Sequence, residues 1–78
     1  MKLTIRFFGK LAEITGKDHS TLAVDDGLSV EALKELMNKQ YDSWQTQTYL
    51  VAVNQTIADK GELYDGDEVA FLPPFAGG

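Results

Sequence analysis

Apolar and polar residues alternate in two short runs, one near the start of the chain and one near its end. In the first run, KLTIRFF, every second residue from Leu3 onward is apolar, and Phe8 belongs to the opposite set. In the last run, EVAFL, Val69 and Phe71 form one set and Leu72 belongs to the other. Alternation of this kind predicts two strands, each with one buried side.

A longer segment between these runs has helical periodicity. In SVEALKELMNKQY, apolar residues recur at steps of three and four, which places them on one stripe of a helix. The stripe contains Val30, Leu33, Leu36, Met37 and Tyr41. Ser29 stands just before it and is a good N-cap. The segment therefore predicts an amphipathic helix with one side to bury.

Shorter patterns fill the rest of the chain. GKLAEITGK predicts one or two turns of helix, and STLAV (Ser20 to Val24) predicts a second strand. YLVAV (Tyr49 to Val53) is a continuous apolar run, which indicates an interior strand. Asn54-Gln55 predicts a turn into a further short strand, TIA.

Two aromatic or titratable side chains fall outside these patterns. His19 is expected to be a surface loop residue. Trp44 lies in the polar loop DSWQTQT, and we expect it to pack with Tyr49 at the edge of the core.

The order of elements predicts an α+β fold in which one main helix crosses one face of a mixed sheet. The ubiquitin-like β-grasp is the best-known fold with this order. The first and last strands are expected side by side in the middle of the sheet, because both have strong apolar patterns. Residues 1–72 would form this domain, and residues 73–78 an extended, flexible C-terminal tail that ends in Gly-Gly.

Composition excludes several kinds of chemistry. The chain has 78 residues, enough for one domain. It has no cysteine, which removes disulfides, thiolate metal sites and a cysteine nucleophile. With one histidine, a histidine-built metal site is not expected. We therefore predict no metal site and no bound cofactor.

The net charge of −5 points away from nucleic acid and from anionic membrane surfaces, both of which attract Lys and Arg. It suits a protein partner with a basic face, which the acidic residues Asp65, Asp67 and Glu68 could meet; a solvated turn is the alternative. The sequence has no stretch typical of a membrane span or a signal peptide. We expect a cytoplasmic protein.

The last eight residues, FLPPFAGG, contain no charge. Pro73 and Pro74 force an extended path, and the two terminal glycines have no side chains. Such a thin segment suits a delivery arm whose working group is the carboxyl of Gly78, although a frayed terminus is the alternative.

Three apolar side chains are expected together on the open face of the sheet, away from the helix. These are Phe8, Leu72 and Phe75. An exposed apolar patch marks a protein interface, whereas scattered surface hydrophobics are the plainer interpretation.

Over essentially its full length the chain resembles the small subunit of molybdopterin synthase, a sulfur carrier of the MoaD/ThiS-like β-grasp family. The matching stretches are RFFGKLAEITG, LSVEALKELM, VAVNQ and, most specifically, DGDEVAFLPPFAGG. Leu72 departs from the family's pattern, because a second Phe is common there.

The resemblance implies a mechanism centred on the tail. A ubiquitin-activating-type adenylating enzyme would use ATP to couple Gly78 to AMP, and a sulfur donor would convert the carboxyl to a thiocarboxylate. Gly77 would keep the tail slim inside the large subunit, which holds the catalytic pocket. The partner-binding residues would be Phe8, Leu72, Pro73, Pro74, Phe75 and Ala76.

The same resemblance implies the product and the assembly. Sulfur transferred from the tail would build the dithiolene of molybdopterin, in a heterotetramer of two small and two large subunits. Three alternatives share the fold: a sulfur carrier for the thiazole of thiamine, a ubiquitin-like protein modifier, and an interaction module with an inert tail.

Overall fold

The computed structural model of the protein describes residues 1–74. Two helices are present in this part of the chain, α1 (Lys10–Thr15) and α2 (Val30–Gln40), and a short 3-10 turn spans Trp44–Thr46. The strands are β1 (Lys2–Phe7), β2 (His19–Ala23), β3 (Leu50–Val53), β4 (Thr56–Ile57) and β5 (Glu68–Leu72).

The strands form one mixed sheet in the order β2-β1-β5-β3-β4. β1 and β5 are parallel neighbours, with Ile5 opposite Val69 and Phe7 opposite Phe71. The other pairs are antiparallel. The predicted α+β architecture, with the first and last strands side by side inside the sheet, is thus confirmed.

The core lies between the sheet and α2. Alternation in β1 and β5 buries Leu3, Ile5 and Phe7 on one strand and Val69 and Phe71 on the other, as predicted. Full burial of each such side chain contributes about 1.5–3 kcal/mol. This alternation leaves the opposite side of both strands free of the helix.

Helix α2 begins as the sequence predicts. The Ser29 hydroxyl accepts a hydrogen bond from the backbone N–H of Ala32 (3.1 Å), which satisfies one of the free amides of the first turn. Val30, Leu33 and Met37 are buried. The predicted inclusion of Leu36 in the buried stripe is wrong, because its side chain lies at the margin of the stripe and is 39% exposed.

Trp44 is placed differently from the prediction. Its side chain is fully buried rather than at the edge of the core, and its ring centroid lies 5.0 Å from that of Phe71 and 6.0 Å from that of Phe7. The 3-10 turn folds the loop inward, and the indole Nε1–H donates to the Tyr49 hydroxyl (3.2 Å). Tyr49 is partly buried beside it, as predicted.

Strand β2 begins one residue earlier than predicted. His19 is its first residue and pairs with Arg6, so its assignment to a loop is wrong, although its side chain is exposed as expected. Asn54 and Gln55 form the predicted turn into β4, both with left-handed backbone (φ 50° and 71°).

Candidate functional site

The face of the sheet away from α2 has a distinctly apolar half. Phe8, which follows β1, shares this face with the outward residues of β5, Ala70 and Leu72. The register adds Leu50, which is opposite Leu72, and Ile57, which is opposite Ala52. Phe8, Leu50 and Ile57 are 37%, 40% and 58% exposed, which is high for such large apolar side chains.

A shallow depression of about 310 Å³ occupies the middle of this face. We call it the open-face depression. It is lined by Arg6, Phe8, Ala52, Gln55, Ile57, Glu68, Ala70 and Leu72. The structure therefore brings together two of the predicted partner-binding residues, Phe8 and Leu72, around a single concave surface.

Arg6 and Glu68 form the charged part of the rim. The Arg6 guanidinium lies 3.8 Å from the Glu68 carboxylate, and both side chains are partly exposed. The same guanidinium lies 5.7 Å from the centre of the Phe8 ring, within the range of a cation–π contact. An exposed ion pair of this length contributes little to stability, so both groups are available to a partner.

The base of the predicted tail adjoins the open-face depression. Strand β5 ends at Leu72, which lines the depression, and Pro73 follows directly. The N–H of Phe8 donates to the carbonyl of Phe71 (3.2 Å), which holds Phe8 beside the end of β5. At Gly9 (φ 59°) an added Cβ would lie only 3.3 Å from Cγ of Pro73. Gly9 thus lets the chain after Phe8 lie close to Pro73.

The acidic residues before β5 bind the protein's own backbone and side chains. A carboxylate oxygen of Asp65 accepts from the N–H of Lys2 (2.7 Å). Asp67 accepts from the N–H of Tyr64 (2.8 Å) and from the side-chain amide of Asn54 (2.9 Å). These bonds fix the turn that introduces β5. They favour an architectural role for Asp65 and Asp67 over contact with a basic partner.

Two residues of the apolar face, Leu50 and Ile57, have no signal in the sequence pattern that assigns them to it. Leu50 lies in a continuous apolar run, where periodicity cannot tell one side of a strand from the other. Ile57 lies in a strand of two residues, too short to show alternation. The assignment of both to the open face depends on the register of β3 with β5 and β4.

The four remaining predicted site residues lie outside the described part of the chain. These are Phe75, Ala76, Gly77 and Gly78. Within residues 1–74, no three His, Asp or Glu side chains come together as a metal site. No helix in that range is long and apolar enough to cross a membrane.

The sequence matches a known protein family over nearly its whole length. The ThiS family model matches residues 5–78. The molybdopterin synthase sulfur carrier subunit of Escherichia coli K12 is 41% identical, over 97% of this chain and 99% of that protein.

Two solved structures are similar to the whole chain. SAMP1 of Haloferax volcanii has a TM-score of 0.80 at 21% identity, with 100% of both chains covered, which supports the fold alone. A chain from the complex of subunits 1 and 2 of molybdopterin-converting factor of Helicobacter pylori has a TM-score of 0.72 at 25% identity, again with 100% of both chains covered. The predicted β-grasp fold is confirmed.

Proposed function

Because this chain belongs to the ThiS family, we propose that it is the sulfur-carrier subunit of a molybdopterin synthase. In this role it brings a sulfur atom, as a thiocarboxylate on Gly78, to a larger partner subunit that holds the catalytic pocket. The chain itself supplies the docking surface and the carrier group.

The observation that carries the proposal is the full-length match to the E. coli sulfur carrier subunit. The match covers both chains almost entirely, and the family model extends from residue 5 to residue 78, so the similarity includes the open face and the tail as well as the core. The H. pylori similarity adds that a chain of this fold is found in a complex with a second subunit.

The geometry suits a carrier that docks and inserts its end. The apolar residues of the open face remain exposed in the isolated chain, and an exposed apolar patch favours a protein interface. Leu72 belongs to the lining of the open-face depression and is followed at once by Pro73. A partner seated on the depression is therefore adjacent to the point where the tail leaves the sheet.

The chemistry at Gly78 requires activation, because a carboxylate is a poor electrophile. We propose that an adenylating enzyme of the ubiquitin-activating type joins the carboxyl to AMP, with release of pyrophosphate from ATP. Attack by a sulfur donor then expels AMP and leaves the thiocarboxylate. The chain has no cysteine, so this sulfur must come from another molecule.

The remaining requirements follow from this chemistry. The chain itself needs no bound cofactor, and ATP is consumed by the activating enzyme. We propose a cytoplasmic location, where ATP and the activating enzyme are available together. The expected assembly is two small and two large subunits.

The test is the intact mass of the full chain after incubation with the adenylating enzyme, ATP and a sulfide source. We expect a gain equal to the exchange of one oxygen atom for one sulfur atom. Addition of the large subunit and the pterin precursor should then yield molybdopterin and restore the original mass.

Deletion of Gly78 is the decisive variant, with Lys17→Ala as a control for an unrelated surface change. The truncated chain should fold but gain no sulfur, whereas Lys17→Ala should behave as the unmodified chain does. Molybdopterin formation with the truncated chain would contradict the mechanism. If the sulfur-loaded chain instead donated its sulfur to a thiazole synthase, its function would be in the synthesis of thiamine and not of molybdopterin.

A further inference from the structure

The floor of the open-face depression is made of two neighbouring small side chains. Ala52 on β3 is directly opposite Ala70 on β5 in the sheet register. Larger side chains surround this pair, with Phe8 and Leu72 on one side and Ile57 on another. Since strand side chains on one face stand side by side, two adjacent alanines among larger neighbours create a socket.

The chemistry of the socket suits an apolar side chain better than a free small molecule. Its volume, about 310 Å³, is at the lower limit of small-molecule pockets, which span ~300–1,000 Å³. Its floor is methyl groups, and its polar lining residues are Arg6, Gln55 and Glu68, of which Arg6 and Glu68 form the charged part of the rim. A protruding apolar side chain would cover the floor and leave the charged margin beside polar groups of the partner's rim.

We propose that this socket receives one protruding apolar side chain of the large synthase subunit, and that Ala52 and Ala70 determine the fit. The inference rests on the proposed function and adds to it the place and size of the central contact. Central, well-packed pockets of this type hold the few residues that dominate an interface.

The large subunit is the occupant favoured by continuity with the tail and by the H. pylori complex, in which a chain of this fold occurs with a second subunit. Leu72 forms part of the socket wall, and the next residue, Pro73, begins the segment proposed to enter that subunit. A protein that takes the tail is therefore held beside the socket. The activating enzyme and a second copy of this chain are the competing occupants, and the test separates them.

The absence of cysteine allows a direct footprint. Ala70→Cys places the chain's one thiol at the socket floor with little added volume. Thr21→Cys is the matched control, because Thr21 is exposed on β2 and shares the open face through its pairing with Thr4. The alkylation rate of each thiol by iodoacetamide is measured alone and with saturating large subunit.

We expect the large subunit to slow alkylation of Ala70→Cys at least tenfold and to leave Thr21→Cys within twofold. An unchanged rate for Ala70→Cys in a complex that has formed would overturn the proposal. Protection by the activating enzyme but not by the large subunit would also overturn it. Protection that grows with the concentration of the carrier alone would assign the socket to a second copy.

The second measurement uses a variant whose larger side chain fills the socket. Ala70→Leu points its added carbons outward, so it should fold, and we expect the dissociation constant for the large subunit to rise at least about 30-fold, the scale of a central interface residue. Thr21→Leu should bind normally. If the unmodified chain still carries sulfur and forms molybdopterin while Ala70→Leu binds equally well, the socket is wrong and the proposed function stands.

Discussion

At the scale of single residues, the buried Trp44 indole relies on one hydrogen-bond acceptor. Its N–H is enclosed among aromatic rings and donates to the Tyr49 hydroxyl at 3.2 Å. Nothing in the polar loop DSWQTQT indicates this burial, because the loop has no apolar periodicity. The position of Trp44 follows from the space between β5 and the end of α2, which only the folded chain defines.

Removal of that acceptor tests the contact. Tyr49→Phe keeps the ring and deletes one oxygen, so the indole N–H is left buried without a partner, and we expect a loss of about 1–3 kcal/mol in the free energy of unfolding. Urea titration followed by the fluorescence of the chain's single tryptophan gives the value. Tyr64→Phe, at a residue 63% exposed, is the control and should change stability little. Equal stability of the two variants would contradict the buried hydrogen bond.

Glu31 links stability to pH at the start of α2. Its carboxylate accepts hydrogen bonds from its own backbone N–H and from that of Gly61 (3.1 Å), and these bonds lower the pKa of Glu31 below its ordinary value of 4.5. Lys34 and Lys60 act in the same direction, whereas burial opposes them weakly. The folded state therefore favours the charged form.

The sign of the effect follows from proton binding. As pH falls from 4.5 through the lowered pKa, the unfolded chain binds this proton first, so the stabilisation by the Glu31 carboxylate is lost across that range. Above pH 4.5 it is fully present. We expect the difference in stability between the parent chain and Glu31→Gln to shrink between pH 6 and pH 3 in urea titrations. A difference that grows as pH falls would contradict this assignment, and Glu35→Gln controls for removal of one charge.

At the scale of elements, the β3–β4 hairpin has a turn that is strained at one residue and well anchored at the other. Both turn residues have left-handed backbone, which suits Asn54 but is costly for Gln55. Asn54 is also tied to β5: its side-chain oxygen accepts from the N–H of Glu68 (3.0 Å), and its side-chain amide binds Asp67. The hairpin is therefore held in place despite the strain at Gln55.

Relief of that strain should stabilise the protein. Gln55→Gly removes the left-handed penalty, offset in part by the entropy of glycine in the unfolded chain, and we expect a gain of about 0.5–1 kcal/mol. Gln47→Gly is the matched control, since Gln47 has ordinary extended backbone (φ −91°) and should be destabilised. The midpoints of thermal unfolding decide between these outcomes. A loss of stability at both positions would argue against a left-handed turn.

The elements also show what a sequence pattern can and cannot predict. β1, α2 and β5 repeat their apolar residues over several periods, so their existence and buried sides follow from the pattern alone. The prediction for Leu36 is wrong because this residue lies at the margin of the stripe. The pattern gives no side for Leu50, because a continuous apolar run has no periodicity. Which side chains meet across strands depends on register, so the socket of Ala52 and Ala70 could not be predicted from either strand.

At the scale of the whole molecule, the two faces of the sheet differ in their exposure. α2 covers one face and completes the core, whereas the apolar half of the other face stays exposed next to the start of the tail. In the complex proposed above, stability and docking would therefore rest on different side chains of the same strands. Substitutions on the open face should alter binding with little effect on folding.

A pair of charge substitutions tests this division. Leu72→Glu places a carboxylate beside the open-face depression, and we expect the affinity for the large subunit to fall at least tenfold, about 1.4 kcal/mol. Leu36→Glu makes the same substitution at a leucine of α2 that is 39% exposed and lies away from the open face, and this variant should bind normally. Sedimentation velocity of each mixture reports the complex. An unchanged complex with Leu72→Glu would remove this residue from the interface.

The position of β5 between β1 and β3 also governs how the protein reaches its native state. A growing chain that has not yet added residues 68–72 has no strand to join the β1–β2 pair to the β3–β4 hairpin. Closure of the loop between β1 and β5 costs entropy before their contacts form, which slows this step relative to the pairing of β1 with β2. Folding during synthesis must then wait for the last strand to leave the ribosome. The depression on the open face, which needs Leu72 and Ala70 of β5, is therefore complete only in a molecule that has finished folding.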